Sequence, residues 1–512
     1  MEFVFWTLLD NCSLWIVLLP LLIILLYMYG TSTFHIWKER NIEGPPPVPF
    51  FGNIFSMFDT KVGTQNTIQI WEKKYGKIFG IYKFRDPLLV ITDTAALKQV
   101  FVKDFNNFAD RYFFGDGYLQ QPALKKGVFF EDGANWKRIR RIMSPTFSGA
   151  KLKQLTHYIN LTAGHLGQNL KSCALNGKQP EAKQVFGAYA LDVICGVAFG
   201  LDTNSQEHFD QPFIVNAKNL MTFKKTLQLI IITIGLFPFL GHIFKFFGVG
   251  YFPGREIRFF EKNVSRLIKE RKDQPDGKHV DFLQLLINAE AEEGEVIGAK
   301  HLSSDEIVGQ CIVFIIAGYE TTSTTLQFLA YELSKNHEVQ NKIVQEIKTV
   351  LGKDEPNYEN CHGLKYMEAA INETLRLYPP VHLLSRKCEN PIELNGIPIP
   401  GKCSILIPLG VISRNPESFP EPDVFKPERF LEGSTEAENP LTFIPFGFGP
   451  RQCLGIRLAM LELKIALVNI LRHVKLVSVT PEVLELEDYT GTLVPKEPIR
   501  FKLQPVSEEE NI

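Results

Sequence analysis

The hydrophobic pattern opens on a run without charge, Leu14 to Gly30 (LWIVLLPLLIILLYMYG), preceded by the apolar stretch Phe3 to Leu9. Only Asp10 and Asn11 interrupt the two. About 20 apolar residues cross a bilayer as a helix, so Phe3 to Tyr29 is predicted to be a transmembrane helix. Tyr27, Tyr29 and Trp37 are expected near one interface, where rings with a polar edge settle. A cleaved signal peptide is the rival reading, and it needs a basic start and a small-residue cleavage site. The only charged side chain before Asp10 is Glu2, no such site follows, and Lys38 and Arg40 come after the run. Lys and Arg favour the cytoplasmic side, so an uncleaved single-pass anchor with a cytosolic body is expected.

Beyond it, Gly44-Pro45-Pro46-Pro47-Val48-Pro49 predicts a stiff, extended hinge. From about residue 60 to 390 helical periodicity dominates. The clearest case is Asp305 to Leu333, opened by the capping signal Ser303-Ser304-Asp305-Glu306. Leu88–Thr92 and Ile392–Leu394 with Ile397 alternate as short strands, and Val474–Val479 with Ile499–Leu503 reads as a last pair. Between 390 and 450, Pro, Gly and Asn predict an ordered meander rather than regular structure. Leu227 to Leu240, continued by Phe244, Phe246 and Phe247, is short for a span and carries Gly235 and Pro238. It reads as a surface element dipping into lipid or covering an apolar pocket, with a buried core helix as the alternative. The polar end, Ser507 to Ile512, is expected to be a disordered tail. The chain therefore divides into an anchor (1–30), a linker with a Pro-rich hinge (31–50), one large body (51–505) and a tail (506–512). The expected fold class is mainly α with small β-sheets, behind an N-terminal transmembrane helix.

Composition narrows the function. Apolar residues make up 45% and charged residues 22%, as in ordinary globular chains. A net charge of −2 argues against nucleic acid as a partner, because such proteins carry a basic surplus. The eight cysteines are scattered, with no C-x-x-C pair and no zinc spacing, which fits free thiols in a reducing compartment.

One of those cysteines has a special setting: Phe446-Gly447-Phe448-Gly449-Pro450-Arg451-Gln452-Cys453-Leu454-Gly455, followed at once by an apolar helical pattern from Ile456. A thiolate just before a helix N-terminus is stabilised by the dipole and the free N–H groups. The glycines allow backbone to approach a flat cofactor, and Arg451 offers a cation for a carboxylate. An inert buried thiol is one competing reading. A dinucleotide fingerprint is another, and it fails because Gln452 stands where the third glycine belongs. The decapeptide resembles the haem-binding signature F-x-x-G-x-R-x-C-x-G of the cytochrome P-450 superfamily, with every specified position filled. That resemblance implies the P-450 fold, haem b (iron protoporphyrin IX) as cofactor, and Cys453 as the iron ligand, whose thiolate favours O–O cleavage. Phe446 and Arg451 would contact the haem.

Further motifs are similar to those of the superfamily and stand in its order. Ala317-Gly318-Tyr319-Glu320-Thr321-Thr322 interrupts an apolar helix with polar groups, which cost free energy when buried unless they have partners or a task. Gly318 and Thr321 suggest a kink or groove there. The resemblance makes Thr321 the oxygen-side alcohol and Glu320 the acid that supplies protons. Glu373-Thr374-Leu375-Arg376 and Pro427-Glu428-Arg429-Phe430 match motifs whose Glu373, Arg376 and Arg429 would form a buried structural network. Trp136-x-x-x-Arg140 would bind a haem propionate, as would Arg111 and Arg386. Expected substrate-pocket walls are Phe113, Phe114, Leu119, Phe314, Ala317, Leu383 and Leu384.

The resemblance covers nearly the whole chain. It is closest to a drug- and steroid-oxidising branch (family 3, subfamily A-like) over Ala317 to Ser323 and Ser144-Pro145-Thr146-Phe147, while Tyr112-Phe113-Phe114 departs from that branch. It implies a monooxygenase of the endoplasmic reticulum membrane that acts on lipophilic small molecules (xenobiotics, steroids or fatty acids). No flavin or nicotinamide motif occurs in the chain. Electrons are therefore expected from outside the chain, and the resemblance implies NADPH through a flavoprotein reductase as their source, with cytochrome b5 as a second candidate donor. Lys125, Lys126, Lys137, Arg138, Arg141, Lys151 and Lys153 form the basic cluster that could steer an acidic donor. A haem-thiolate isomerase of peroxides and a non-catalytic haem sensor or scaffold are the alternatives, and intact Thr321 counts against the isomerase.

Overall fold

The computed structural model describes residues 2–507 apart from 60, 114–115, 221–224, 274–280, 291–300, 437 and 488–491. The expected tail, Ser507 to Ile512, lies outside the described residues except for its first, and the side chains of 2–15 are likewise not described.

The organising element is the helix Ser304–Lys335, the central helix. It starts where the capping signal places it. Ser303 Oγ accepts the Glu306 N–H at 3.2 Å, and the Glu306 carboxylate accepts the Ser303 N–H at 2.9 Å. Its main neighbour is the helix Ala182–Phe199, which is apolar on all faces and so is buried in the core. That helix is long and apolar enough to cross a membrane, but its burial makes it a core helix. Gly149–Leu175 and Ile456–His473 complete the helical layer.

Strands β1 (Ile78–Lys83) and β2 (Asp86–Ile91) form an antiparallel hairpin. After the helices come β3 (Leu383–Cys388), the small hairpin of β4 (Ile392–Leu394) and β5 (Ile397–Ile399), and β6 (Cys403–Pro408). The main sheet runs β1-β2-β6-β3, with β6 parallel to β2 and antiparallel to β3. Near the C-terminus β7 (Val474–Thr480) pairs with β10 (Arg500–Pro505), and the short β8 (Leu486–Glu487) with β9 (Val494–Pro495). The expected meander is thus too broad at its start, where it hides β6. That strand is buried at all six positions, so it shows no polar–apolar alternation.

At the N-terminus Glu2–Thr31 is one helix, about 45 Å long at 1.5 Å per residue. Its described apolar side chains from Ile16 to Met28 face outward. Trp37 does not join them. It is buried, and its indole N–H donates to Ile81 O at 3.1 Å, because its ring fills the space over Gly80. The proline run is tied to the body: the Gly80 N–H donates to Glu43 O at 2.8 Å, and Asn53 donates to Pro45 O and Pro46 O. The buried-core reading of Leu227 to Leu240 also falls. Lys225–Leu236, the turn Pro238–Leu240 and Gly241–Phe246 expose Leu229, Phe237, Phe239, Ile243 and Phe246, leaving a surface apolar patch.

Candidate active site

Cys453 stands on a loop between the meander and the helix Ile456–His473. The Cys453 N–H donates to Phe446 O at 2.9 Å, folding the loop back on itself. Gly449 has φ 75°, and a Cβ there would lie 2.3 Å from Phe101 O, so only glycine lets the loop sit this close. The sulfur lies open at the floor of an internal chamber yet is surrounded by protein. Burial pushes its thiol pKa up, opposed by the Gly455 N–H and by the guanidiniums of Arg140 and Arg111. The chamber encloses about 1540 Å³ of atom-free space, counting its mouth. Among the described residues no histidine and no second cysteine lines it.

Four arginines, Arg111, Arg140, Arg386 and Arg451, turn toward that chamber together with Trp136. Arg451 is buried, lies 4.2 Å over the Trp136 ring, and donates to Asp110 at 3.2 Å and Glu131 O at 2.9 Å. Arg111 stacks 4.1 Å over Phe129 and donates to its carbonyl at 2.7 Å. Arg386 donates to Ser385 O at 2.8 Å. Burial and mutual repulsion lower the pKa of Arg111, and burial with Arg451 beside it lowers Arg386 to about 10. Nε of Arg111, Arg386 and Arg451, and Nη1 of Arg451, are buried without a hydrogen-bond partner. Buried donors and like charges of this kind are costly alone. They fit a dianionic planar group such as haem with its two propionates, whose iron Cys453 would hold.

One face of the central helix closes the chamber: Val313, Phe314, Ala317, Gly318, Thr321, Thr322 and Thr325. The helix runs on through Gly318 to Lys335. A Cβ at Gly318 would approach Ile194 to 2.8 Å, so this glycine serves close helix packing. Thr321 Oγ1 donates to Ala317 O at 2.6 Å. Glu320 does not line the chamber. It sits about 100° round the helix from Thr321, where its Oε1 meets Lys183 Nζ at 2.8 Å and its Oε2 has no partner.

The carboxyl that does line the chamber is Glu462, which accepts from Thr322 Oγ1. Sequence reasoning missed it, although a lone acid among Leu458, Leu461, Leu463 and Ile465 is a visible signal. Burial pushes Glu462 up to about 8, against the hydrogen bond from Thr322. A carboxyl raised in the fold stabilises it fully below its unfolded pKa and loses that contribution as pH rises through the folded value. Glu462→Gln is expected to gain stability over the wild type between about pH 5 and about pH 8, by on the order of a few kcal/mol. Unfolding curves at both ends of that range check this; a constant difference would mean that Glu462 does not titrate there.

The cytochrome P450 family model matches residues 42–503 of the chain. The chain belongs to the cytochrome P450 family. It is 37% identical over 496 residues to cytochrome P450 3A29 of Sus scrofa, covering 96% of each protein. It is 38% identical over 492 residues to cytochrome P450 3A28 of Bos taurus, covering 96% of this chain and 95% of that one. Cytochrome P450 3A9 of Rattus norvegicus is 36% identical over 498 residues, 97% of each. The protein is a cytochrome P450 monooxygenase with haem b as its cofactor.

In this P450 the expected pocket walls divide. Phe314, Ala317 and Leu384 line the chamber, joined by Phe147, Phe282 and Phe129, which sequence reasoning missed. The rings of Phe147 and Phe282 lie tilted against each other at 4.7 Å, and each meets Phe314, at 5.8 and 5.7 Å. Leu383 does not line it, because successive strand residues face opposite ways. Leu119 is wholly buried in packing, and Phe113 stands one layer back against Phe129 and Phe130. Phe114 lies outside the described residues. Glu373, Arg376 and Arg429 meet with no exposure. Arg376 donates to Glu373 at 2.7 and 2.9 Å, and Arg429 Nε stands 3.3 Å from Glu373 Oε1 without hydrogen-bond alignment. Of the basic cluster, Arg138 is committed to Glu306 and His301 O, while Lys125, Lys126, Lys137, Arg141 and Lys153 are exposed.

Proposed function

We propose that this P450 inserts one oxygen atom from O₂ into lipophilic small molecules (xenobiotics, steroids or fatty acids) at the membrane of the endoplasmic reticulum. Electrons come from NADPH through a membrane-bound flavoprotein reductase, with cytochrome b5 as a second donor. The observation that carries this reading is a thiol opening into a mostly apolar chamber that four arginines also line. Cys453 would hold the iron; Arg111, Arg140, Arg386, Arg451 and Trp136 would hold the propionates; and Phe446 would contact the haem. Haem bound there supplies the activation of O₂. The protein's own task is to exclude bulk water, place the substrate and deliver protons.

Thr321 Oγ1 spends its hydrogen on Ala317 O, so its lone pairs are free to order a water in the chamber. Phe314, Phe147, Phe282 and Leu384 form the apolar wall that receives the substrate. Glu320 stays with Lys183 as the acid beside the chamber-facing side of the helix, in reach of the surface through that half-exposed lysine.

The outward apolar helix Ile16–Thr31 anchors the body from the cytosolic side, as Lys38 and Arg40 favour. The patch from Leu229 to Phe247 rests on the same lipid, which concentrates lipophilic substrate near the body. The exposed lysines around Lys125 and Lys137 attract the acidic donor.

With reductase and NADPH in vesicles, the expected product carries one oxygen from labelled O₂. Product formed without reductase from a peroxide substrate would favour the isomerase instead. Thr321→Ala is expected to keep the thiolate-haem spectrum while product per NADPH falls several-fold and hydrogen peroxide rises to match. An unchanged product-to-NADPH ratio would take Thr321 out of proton delivery.

A further inference from the structure

Away from the chamber thiol, two other cysteines face each other across the main sheet. Cys388 ends β3, Cys403 begins β6, and the antiparallel register sets them directly opposite. Both are buried, at 0% and 2% exposure. Opposed residues on antiparallel strands have Cα atoms about 4.5–5.5 Å apart, within the span of about 4.4–6.8 Å that disulfides bridge. Opposed residues project from the same face of a sheet, so the two thiols stand side by side. Cys388 Sγ also donates to Asn390 O at 3.2 Å and accepts from Asn107 Nδ2 at 3.7 Å. The contact with Cys403 lowers the pKa of Cys388, whereas the reciprocal contact and burial raise that of Cys403. Cys388 is the readier nucleophile, because the Asn107 amide donates to its sulfur and the exposed Asn390 stands two residues away, and Cys403 is the partner held against it.

We propose that Cys388 and Cys403 form an oxidisable dithiol site that hydrogen peroxide converts into a disulfide joining β3 to β6. The sulfur of Cys388 attacks one peroxide oxygen, the O–O bond breaks, and one water leaves with the thiol proton. Cys403 then attacks the oxidised sulfur, the S–O bond breaks, and a second water leaves. Two thiols and one peroxide give one disulfide and two waters, with two electrons passing from sulfur to oxygen. Two-electron reduction of O₂ yields this oxidant, so a monooxygenase that releases reduced oxygen unused supplies it locally. Entry is short, since Asn390 is exposed beside Cys388.

The place gives the crosslink a reading in the chamber. Arg386 is two residues upstream on β3 and lines the chamber. The same strand end holds the segment Asn107–Arg111, through Lys387 N–H to Asp110 O at 2.7 Å and Glu389 N–H to Asn107 O at 3.0 Å. Oxidation removes the hydrogen that Cys388 gives to Asn390 O and draws its sulfur toward β6.

The test uses the full-length, haem-loaded protein. It is treated with hydrogen peroxide, quenched with catalase, unfolded in iodoacetamide and digested without reductant for mass spectrometry. The expected result is a Cys388–Cys403 peptide pair, lighter than the sum of its parts by two hydrogens and separated by dithiothreitol. Both cysteines remaining alkylated while the half-exposed Cys173 oxidises would overturn the proposal. So would Cys388 stopping at a sulfenic or sulfinic acid beside an alkylated Cys403. In Cys403→Ser the crosslink is expected to vanish while the thiolate-haem spectrum stays; Cys388 pairing with a different cysteine there would equally count against it. Should that variant not fold, the wild-type peptide map decides alone.

Discussion

Cys453→Ala is expected to lose the long-wavelength absorbance of carbon monoxide on reduced thiolate haem, and oxygen insertion with it, by more than about a thousandfold, or about 4 kcal/mol on the barrier. The size follows from the chamber. Among the described residues its lining offers the iron one sulfur and no imidazole, so a neighbouring side chain has nothing to substitute. The Gly455 N–H and the positive charge of Arg140 and Arg111 are aimed at that sulfur and oppose the cost of burying its charge. In the alanine variant the same groups face an uncharged methyl, and repulsion among the arginines loses a counter-charge. Haem content is therefore expected to fall as well. Spectra of the purified variant with carbon monoxide and dithionite check the ligand, and turnover with reductase checks the chemistry. An unchanged spectrum would move the iron ligand elsewhere.

What the sequence disclosed follows the reach of each signal. The cysteine loop was legible because its chemistry is contiguous: ten successive residues carry the sulfur, the Arg451 cation and the tight glycine at 449. The start of the central helix was legible because Ser303 and Glu306 satisfy each other within one turn. Strand β6 was not, since burial on both faces erases the alternation that marks a strand. The side toward which a residue turns was partly hidden too. Leu383 and Leu384 are equal as apolar residues, and only the strand's orientation sends Leu384 to the chamber. Glu320 and Thr321 are neighbours in sequence, yet helical geometry sends the acid toward Lys183 and the alcohol to the chamber. Glu462 reaches Thr322 from a helix 140 residues on, a meeting that local pattern does not encode. Trp37 likewise reads as an interfacial anchor until Gly80 makes room for it in the core.

Glu373→Ala is expected to be the most destabilising single change outside the haem ligand, at about 3–5 kcal/mol, the cost of stripping one partner from a buried ion pair. Glu373 takes two hydrogen bonds from Arg376 and one from the Lys426 N–H at 2.9 Å, and it faces Arg429. Arg376 spends its other donors on Ser413 O, Pro422 O and Val424 O, so it pins the meander to its own helix, Lys365–Leu377. Without the carboxylate, two guanidiniums with no solvent exposure stay charged in one dry space. Glu373→Gln keeps the shape and removes the charge, so it should fall between the alanine variant and the wild type. The control is Glu417→Ala. Glu417 meets Lys77 at 2.6 Å, as short as the buried contacts, but its side chain is 71% exposed. Distance alone would rank the two pairs together; solvent screening leaves the exposed one weak. Urea unfolding of the haem-loaded variants measures both. If Glu373→Ala shifts the midpoint no further than Glu417→Ala, the buried network does not hold the meander in place, and that segment must be fixed by its apolar contacts.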